Sequence, residues 1–170
     1  MPLTLPALSV LVVEDDPGDQ LLIREVFEEH SAIDALTIVD DGAAALAYLR
    51  REGEYVDAPR PTLMLLDLNL PLRSGGEVLE QVRAETAWRA LPVVILTTSD
   101  EEVDVARAYA AGANAYITKP LHWDEFAAKV RKLDEFYLRT ARLPRHLTLG
   151  EHEARRTSGP GDAPRGDGGA

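Results

Sequence analysis

A chain of 170 residues with 45% apolar and 28% charged side chains is long enough for one domain with a real core and too short for two joined by a linker. Its net charge of -11 argues against direct nucleic-acid binding, which needs a basic face, and the absence of cysteine removes disulfides, thiol nucleophiles and thiolate metal sites. No stretch approaches the roughly 20 apolar residues of a membrane span, and Met1 to Val13 lacks the basic start and cleavage site of a signal peptide.

In chain order, Ser9 to Val13 reads as a first strand that runs into three acids, Glu14-Asp15-Asp16. Asp16-Pro17 starts a helix well, with the acid as N-cap and proline at the first helical position, and Leu21, Leu22, Val26 and Phe27 are expected on one side. Ala35 to Val39 is a second strand, and Asp40-Asp41-Gly42 leads into an alanine-rich helix, Ala43 to Arg51. Gly53 to Pro61 is the longest internal loop. Pro61 to Leu66 is an apolar run with the character of a central strand buried on both faces, and the helix after Gly75 carries Val78, Leu79 and Val82. Pro92 opens a fourth strand, Val93 to Leu96, and Ser99 with Glu102 has capping-box spacing for the next helix, which should end near Ala111-Gly112. Ala115 to Ile117 is a fifth strand. The last helix is expected from near His122 to about Leu143. Residues 144–170, rich in Gly, Pro, Arg and Asp, are expected to be a disordered tail behind a domain over 1–143. Five strands alternating with five helices predict an α/β fold with a doubly wound five-stranded parallel sheet and helices on both faces. Periodicity alone leaves the strand order open.

The polar residues at the strand ends carry the chemistry. Asp67 closes an apolar run that reads as a central buried strand, where a carboxylate is costly unless it has a role, and the carboxyl edge of an open α/β sheet is where sites lie. Glu14, Asp15 and Asp16, Thr97 and Lys119 follow their strands in the same way, so four strand ends supply acids, a hydroxyl and an amine. Asp16 is better explained as a helix cap than as a metal ligand. The four histidines, His30, His122, His146 and His152, are scattered and follow no metal-ligand spacing.

The set Glu14-Asp15, Asp67, Thr97 and Lys119-Pro120, with Pro71 and Gly75 four apart after the central acid, resembles the receiver domain of two-component response regulators over about Ser9 to Leu143. The resemblance implies a flavodoxin-like receiver fold with strand order 2-1-3-4-5, often with a cis bond between the lysine and proline. It also implies that Asp67 accepts a phosphoryl group from a sensor histidine kinase. Mg2+ would be bound by Asp15, Asp67 and the carbonyl of Asn69, with Glu14 acting through water. Lys119 would pair with the phosphoryl oxygens, Thr97 would move to the new phosphate, and Tyr116 would rotate inward as the switch aromatic. Asn69 and Ser99 would flank the pocket. A cytoplasmic signalling protein without enzymatic turnover follows from the same likeness, and with no output domain after the receiver its output is expected to be made by the receiver itself.

The stretches Asp16-Pro17-Gly18-Asp19-Gln20, Arg51 to Tyr55 and Pro71 to Gly76 are similar to those of the small regulators paired with bacterial and cyanobacterial phytochromes. That narrower likeness implies a light-sensing kinase partner. In the last helix Trp123, Phe126 and Val130 are expected against the sheet, whereas Phe136, Tyr137 and Leu138 fall at a distal end with little to pack on. A homodimer through this helix, with the fourth helix and fifth strand, is the expectation. The closest enzymatic alternative is a phosphatase of the haloacid dehalogenase type, but its motif wants a second acid where Asn69 stands and places its acidic pair late in the chain. A receiver-like scaffold that binds partners without phosphorylation is the remaining alternative.

Overall fold

The computed structural model describes residues 8–29 and 33–144. The expected tail therefore lies outside the described residues, apart from Pro144, as do His30, His146 and His152. The described elements alternate strictly: β1 (Ser9–Val13), α1 (Pro17–Glu28), β2 (Ala35–Val39), α2 (Gly42–Arg50), β3 (Leu63–Leu66), α3 (Gly75–Ala84), β4 (Val93–Thr97), α4 (Glu102–Ala110), β5 (Ala115–Thr118) and α5 (Trp123–Asp134). All neighbouring strands pair in parallel, in the order β2-β1-β3-β4-β5. This is the doubly wound sheet expected from the sequence, with the order that the receiver resemblance implies.

The period of two along each strand divides the core between the two faces. Leu11, Val13, Met64, Leu66, Val93 and Ile95 pack with α2 and α3 on one side. Val10, Val12, Leu63, Leu65, Val94 and Leu96 pack with α1 and α5 on the other. Burial on both faces is why these strands are continuous apolar runs without alternation.

Several local expectations are corrected. Leu21 is 53% exposed, and Ile23 takes its place in the core beside Leu22, Val26 and Phe27. At 100° per residue a stripe that held 21, 22 and 23 together would span most of the helix circumference. The second helix stops at Arg50, because Arg51 adopts the left-handed conformation (φ 58) and ends it as a cap. The central strand begins only at Leu63, since Pro61 has no N–H to give and the Thr62 hydroxyl bonds the Ser9 main chain (3.1 and 2.9 Å). Ser99 and Glu102 form no capping box. The Ser99 hydroxyl donates instead to the Asp104 carboxylate (2.6 Å), a charged acceptor that outcompetes the main chain, and the N-cap of α4 is Glu101 without a side-chain bond. Ser74 and Glu77, with the same spacing, do form the box, at the start of α3. No cis peptide occurs among the described residues, so Lys119-Pro120 is trans.

The last helix passes after Asp134 into a π-helical turn, Glu135–Thr140, and ends short of Leu143. Trp123 lies at the helix start and is 47% exposed, whereas Phe126, Val130 and Leu133 are buried. The wider turn also changes the facing of the distal residues. Leu138 is buried with the α1 side of the core, Tyr137 packs partly against it, and Phe136 stays exposed.

Candidate functional site

The sheet ladder itself assembles the site, because it continues one residue past the strand ends. Glu14 N–H donates to the Val39 carbonyl (3.0 Å), Asp67 N–H to that of Val13 (3.0 Å), and Lys119 N–H to that of Thr97 (2.7 Å). The backbone registers of β1, β3 and β5 thus bring Glu14, Asp67 and Lys119 to one edge before any side-chain contact is made. Gly75 closes the near side. A Cβ there would lie 2.0 Å from the Asp67 carbonyl oxygen, so only glycine lets α3 begin directly against the strand end.

Lys119 Nζ is the centre of the charge arrangement. It donates to Asp67 Oδ2 at 2.8 Å, pairs with Asp19 Oδ2 at 2.9 Å, and contacts Glu14 Oε2. Burial alone would lower the pKa of this ammonium, but hydrogen bonds to Asp67, Glu14 and Asp19 outweigh it and hold the pKa above the ordinary lysine value. Glu14 behaves differently. Burial pushes its carboxyl up to about 7 although Lys119 and the Asp16 N–H (3.1 Å to Oε1) both favour the anion. One lysine shared by three acids does not compensate the deepest of them fully. Asp67 Oδ1 accepts from the Asn69 N–H at 3.0 Å, which keeps Asn69 beside the pocket.

Glu14, Asp15 and Asp67 each offer an oxygen, all within 4.8 Å of one another, with Asp15 exposed towards solvent. Hard carboxylate oxygens on a partly open rim suit a divalent cation such as Mg2+ or Mn2+. Asp16 is exposed and caps α1 through the Asp19 N–H (2.9 Å), in agreement with its expected role. Thr97 is fully buried, and its hydroxyl has no hydrogen-bond partner among the described residues. A buried hydroxyl without a protein partner is costly and uncommon in a folded core. Tyr116 is half-buried, and its hydroxyl donates to the Ser99 carbonyl at 2.9 Å, across the β4–α4 loop.

Two residues of the first helical turn belong to the site although nothing in their types announced it. Asp19 is a direct partner of Lys119. Gln20 Nε2 bonds both the Glu14 carbonyl (2.6 Å) and Asp40 Oδ1 (2.9 Å), and so ties α1 to the ends of β1 and β2. In the sequence Asp19 stands out only as a member of the stretch Asp16-Pro17-Gly18-Asp19-Gln20, on the first turn after the N-cap.

This edge, with its acids, lysine and hydroxyl on a 2-1-3-4-5 sheet, defines a response-regulator receiver, and the chain belongs to that family: the response regulator receiver domain matches residues 10–131. Its class is therefore a signalling receiver of a two-component phosphorelay, and no longer a dehalogenase-type phosphatase. Among individual proteins, the chain is 40% identical over 139 residues to response regulator Rcp1 of a Synechocystis strain, covering 82% of this chain and 95% of that one. The Mn2+-bound crystal structure of Rcp1 superposes with a TM-score of 0.77 at 41% identity, over 81% of this chain and 99% of the other. The phosphorylated cyanobacterial phytochrome response regulator RcpA does so at 0.79 and 40% identity, over 82% and 99%. No helix among the described residues is long and apolar enough to cross a membrane.

Proposed function

We propose that this receiver takes a phosphoryl group from the phosphohistidine of a sensor kinase onto Asp67. The observation that carries the reading is the Asp67 carboxylate itself, 6% exposed at the end of β3, with Lys119 Nζ at 2.8 Å and oxygens of Glu14 and Asp15 within 4.8 Å. A carboxylate oxygen attacks phosphorus as the bond to the histidine nitrogen breaks, and the electron pair leaves with the imidazole. Both reacting groups are negative, so the barrier is largely electrostatic. Mg2+, held by Asp15, Asp67 and the Asn69 carbonyl with Glu14 acting through water, would offset that repulsion and hold the oxygens in line. Lys119 then pairs with the phosphoryl oxygens. Thr97, with its unused hydroxyl, turns to the new phosphate, and Tyr116 leaves the Ser99 carbonyl and rotates inward, which biases the domain towards its active conformation. The phosphoryl group remains on the protein until transferred or hydrolysed, so the protein is a phosphoacceptor and not a turnover enzyme.

Intact mass after incubation with acetyl phosphate and Mg2+ tests these assignments together. Wild type and Tyr116→Ala should each gain one labile phosphoryl group, and Asp67→Asn none. Tyr116→Ala should in addition lose partner response. An adduct on Asp67→Asn removes the acceptor assignment, and loss of the adduct in Tyr116→Ala removes the switch assignment.

The similarity to RcpA supports a phytochrome as the kinase, and a cytoplasmic location goes with such a partner. A homodimer through α5, with α4 and β5, belongs to the same reading. Val103 and Tyr109 of α4 and Phe136 beyond α5 are exposed, and an open groove of about 570 Å³ runs along the edge strand β5, lined by Tyr116, Thr118, Lys132, Leu133, Phe136 and Tyr137. Burial, then the nearby Tyr109, raise the Tyr137 phenol pKa. Apolar surface of this kind marks a contact. Sedimentation at tens of micromolar should show a dimer with or without a phosphate mimic, and a monomer in both states would remove it.

A further inference from the structure

An ammonium has three N–H donors; in this structure Lys119 gives hydrogen bonds to Glu14 and Asp67, and Asp19 Oδ2 closes its remaining side as an ion pair at 2.9 Å. A phosphoryl oxygen that pairs with Lys119 must therefore displace a carboxylate. The three are not equally displaceable. The Glu14 side chain is 2% exposed and also held by the Asp16 N–H, and that of Asp67 is 8% exposed and is the acceptor itself. The Asp19 side chain is 25% exposed and sits on the first turn of α1, where water replaces the lost ion pair at least cost.

We propose that Asp19 is a positioning residue that acts through Lys119, a tethered carboxylate occupying the lysine donor that the incoming phosphoryl oxygen takes over. Its charge opposes phosphoryl acceptance in the resting protein, and its release accompanies acceptance. The chemistry needs no proton. With acetyl phosphate, the phosphorus–oxygen bond to acetate breaks and acetate keeps the electron pair, while a lone pair of Asp67 forms the new bond. Lys119 exchanges the Asp19 oxygen for a phosphoryl oxygen in the same event. Asp19 thereby sets how readily the receiver is charged, apart from the residues that make up the phosphoryl pocket. The inference rests on Asp67 as acceptor.

The test is the rate of adduct formation by intact mass with acetyl phosphate and Mg2+, together with the decay rate of the purified adduct, for wild type, Asp19→Asn and Asp19→Glu. Asp19→Asn should accept phosphate about three- to fivefold faster, the factor expected of one partly exposed ion pair, with adduct decay no faster than wild type. Asp19→Glu, which keeps the charge, should stay near the wild-type rate. The advantage of Asp19→Asn should shrink as salt screens the pair. A gain in rate cannot come from loss of fold, so a merely structural role for Asp19 would not produce it. Acceptance by Asp19→Asn at or below the wild-type rate overturns the role of Asp19 alone, with Asp67 still the acceptor in wild type. Absence of an adduct on wild type overturns both.

Discussion

Lys119→Met is expected to slow phosphoryl acceptance by about a hundredfold, the scale seen when one fixed donor to a developing anion is removed. Methionine keeps the length and bulk of the stem and deletes the charge, so the loss measures the ion pair rather than a cavity. The substitution should also destabilise the metal-free protein in a pH-dependent way. Glu14 and Asp67 are 1% and 6% exposed and would lose the cation that Lys119 supplies to both. Removal of one partner from a buried pair costs about 3–5 kcal/mol. A carboxyl with a raised folded pKa contributes stability that is fully present below its unfolded pKa and lost as pH rises through the folded one. For Glu14 in wild type that window runs from 4.5 to about 7. Without Lys119 the folded pKa of Glu14 moves higher still, and the window extends upwards. Urea unfolding in chelator should therefore show the variant weakened by about 3 kcal/mol near pH 8 and by well under half of that near pH 5, where Glu14 takes up its proton. Equal losses at the two pH values would show that the effect is packing and not charge.

Gly75→Ala should damage stability and site together. Its Cβ would meet the Asp67 carbonyl oxygen at 2.0 Å, and the Asp67 carbonyl carbon and Leu68 Cα at 2.8 Å each. All three are backbone atoms, which cannot swing aside. Either α3 withdraws or the end of β3 moves, and the expected cost is about 2–3 kcal/mol. Any shift of the Asp67 backbone also displaces the nucleophile from Lys119, so acceptance should fall at least about tenfold. Gly76→Ala is the internal control, since its Cβ would find only Ser74 Oγ at 3.8 Å. That variant should be unchanged or up to about 1 kcal/mol more stable through helix propensity. Denaturation and adduct formation for the pair would separate contact from propensity, and equally mild effects at both positions would remove the close-approach argument.

The sequence by itself determined the alternation of elements, the buried strands and the residues that end them. These are local facts: an apolar run of four or five residues, a proline after an N-cap acid, and a polar residue at the point where burial stops. The boundaries that it misplaced were those at which two local options compete. Ser99 has a main-chain partner on paper and a carboxylate partner, Asp104, in space. Leu21 is as apolar as Leu22 but stands outside the stripe that the sheet covers. The π-helical turn that buries Leu138 and exposes Phe136 leaves no mark in composition, because it depends on how the end of α5 meets the α1 side of the core.

The candidate site was legible in its members but not in its connections. Glu14, Asp15, Asp67 and Lys119 follow their strands and Thr97 is the last residue of β4, and a parallel sheet must bring such residues to one edge. Nothing in the spacing, however, assigns the lysine's third ion pair to Asp19, one hundred positions away, or leaves the Thr97 hydroxyl without a partner among the described residues. Only the tertiary structure decided those, because side-chain pairing at a sheet edge is set by strand register and helix docking, which act between segments and not within them.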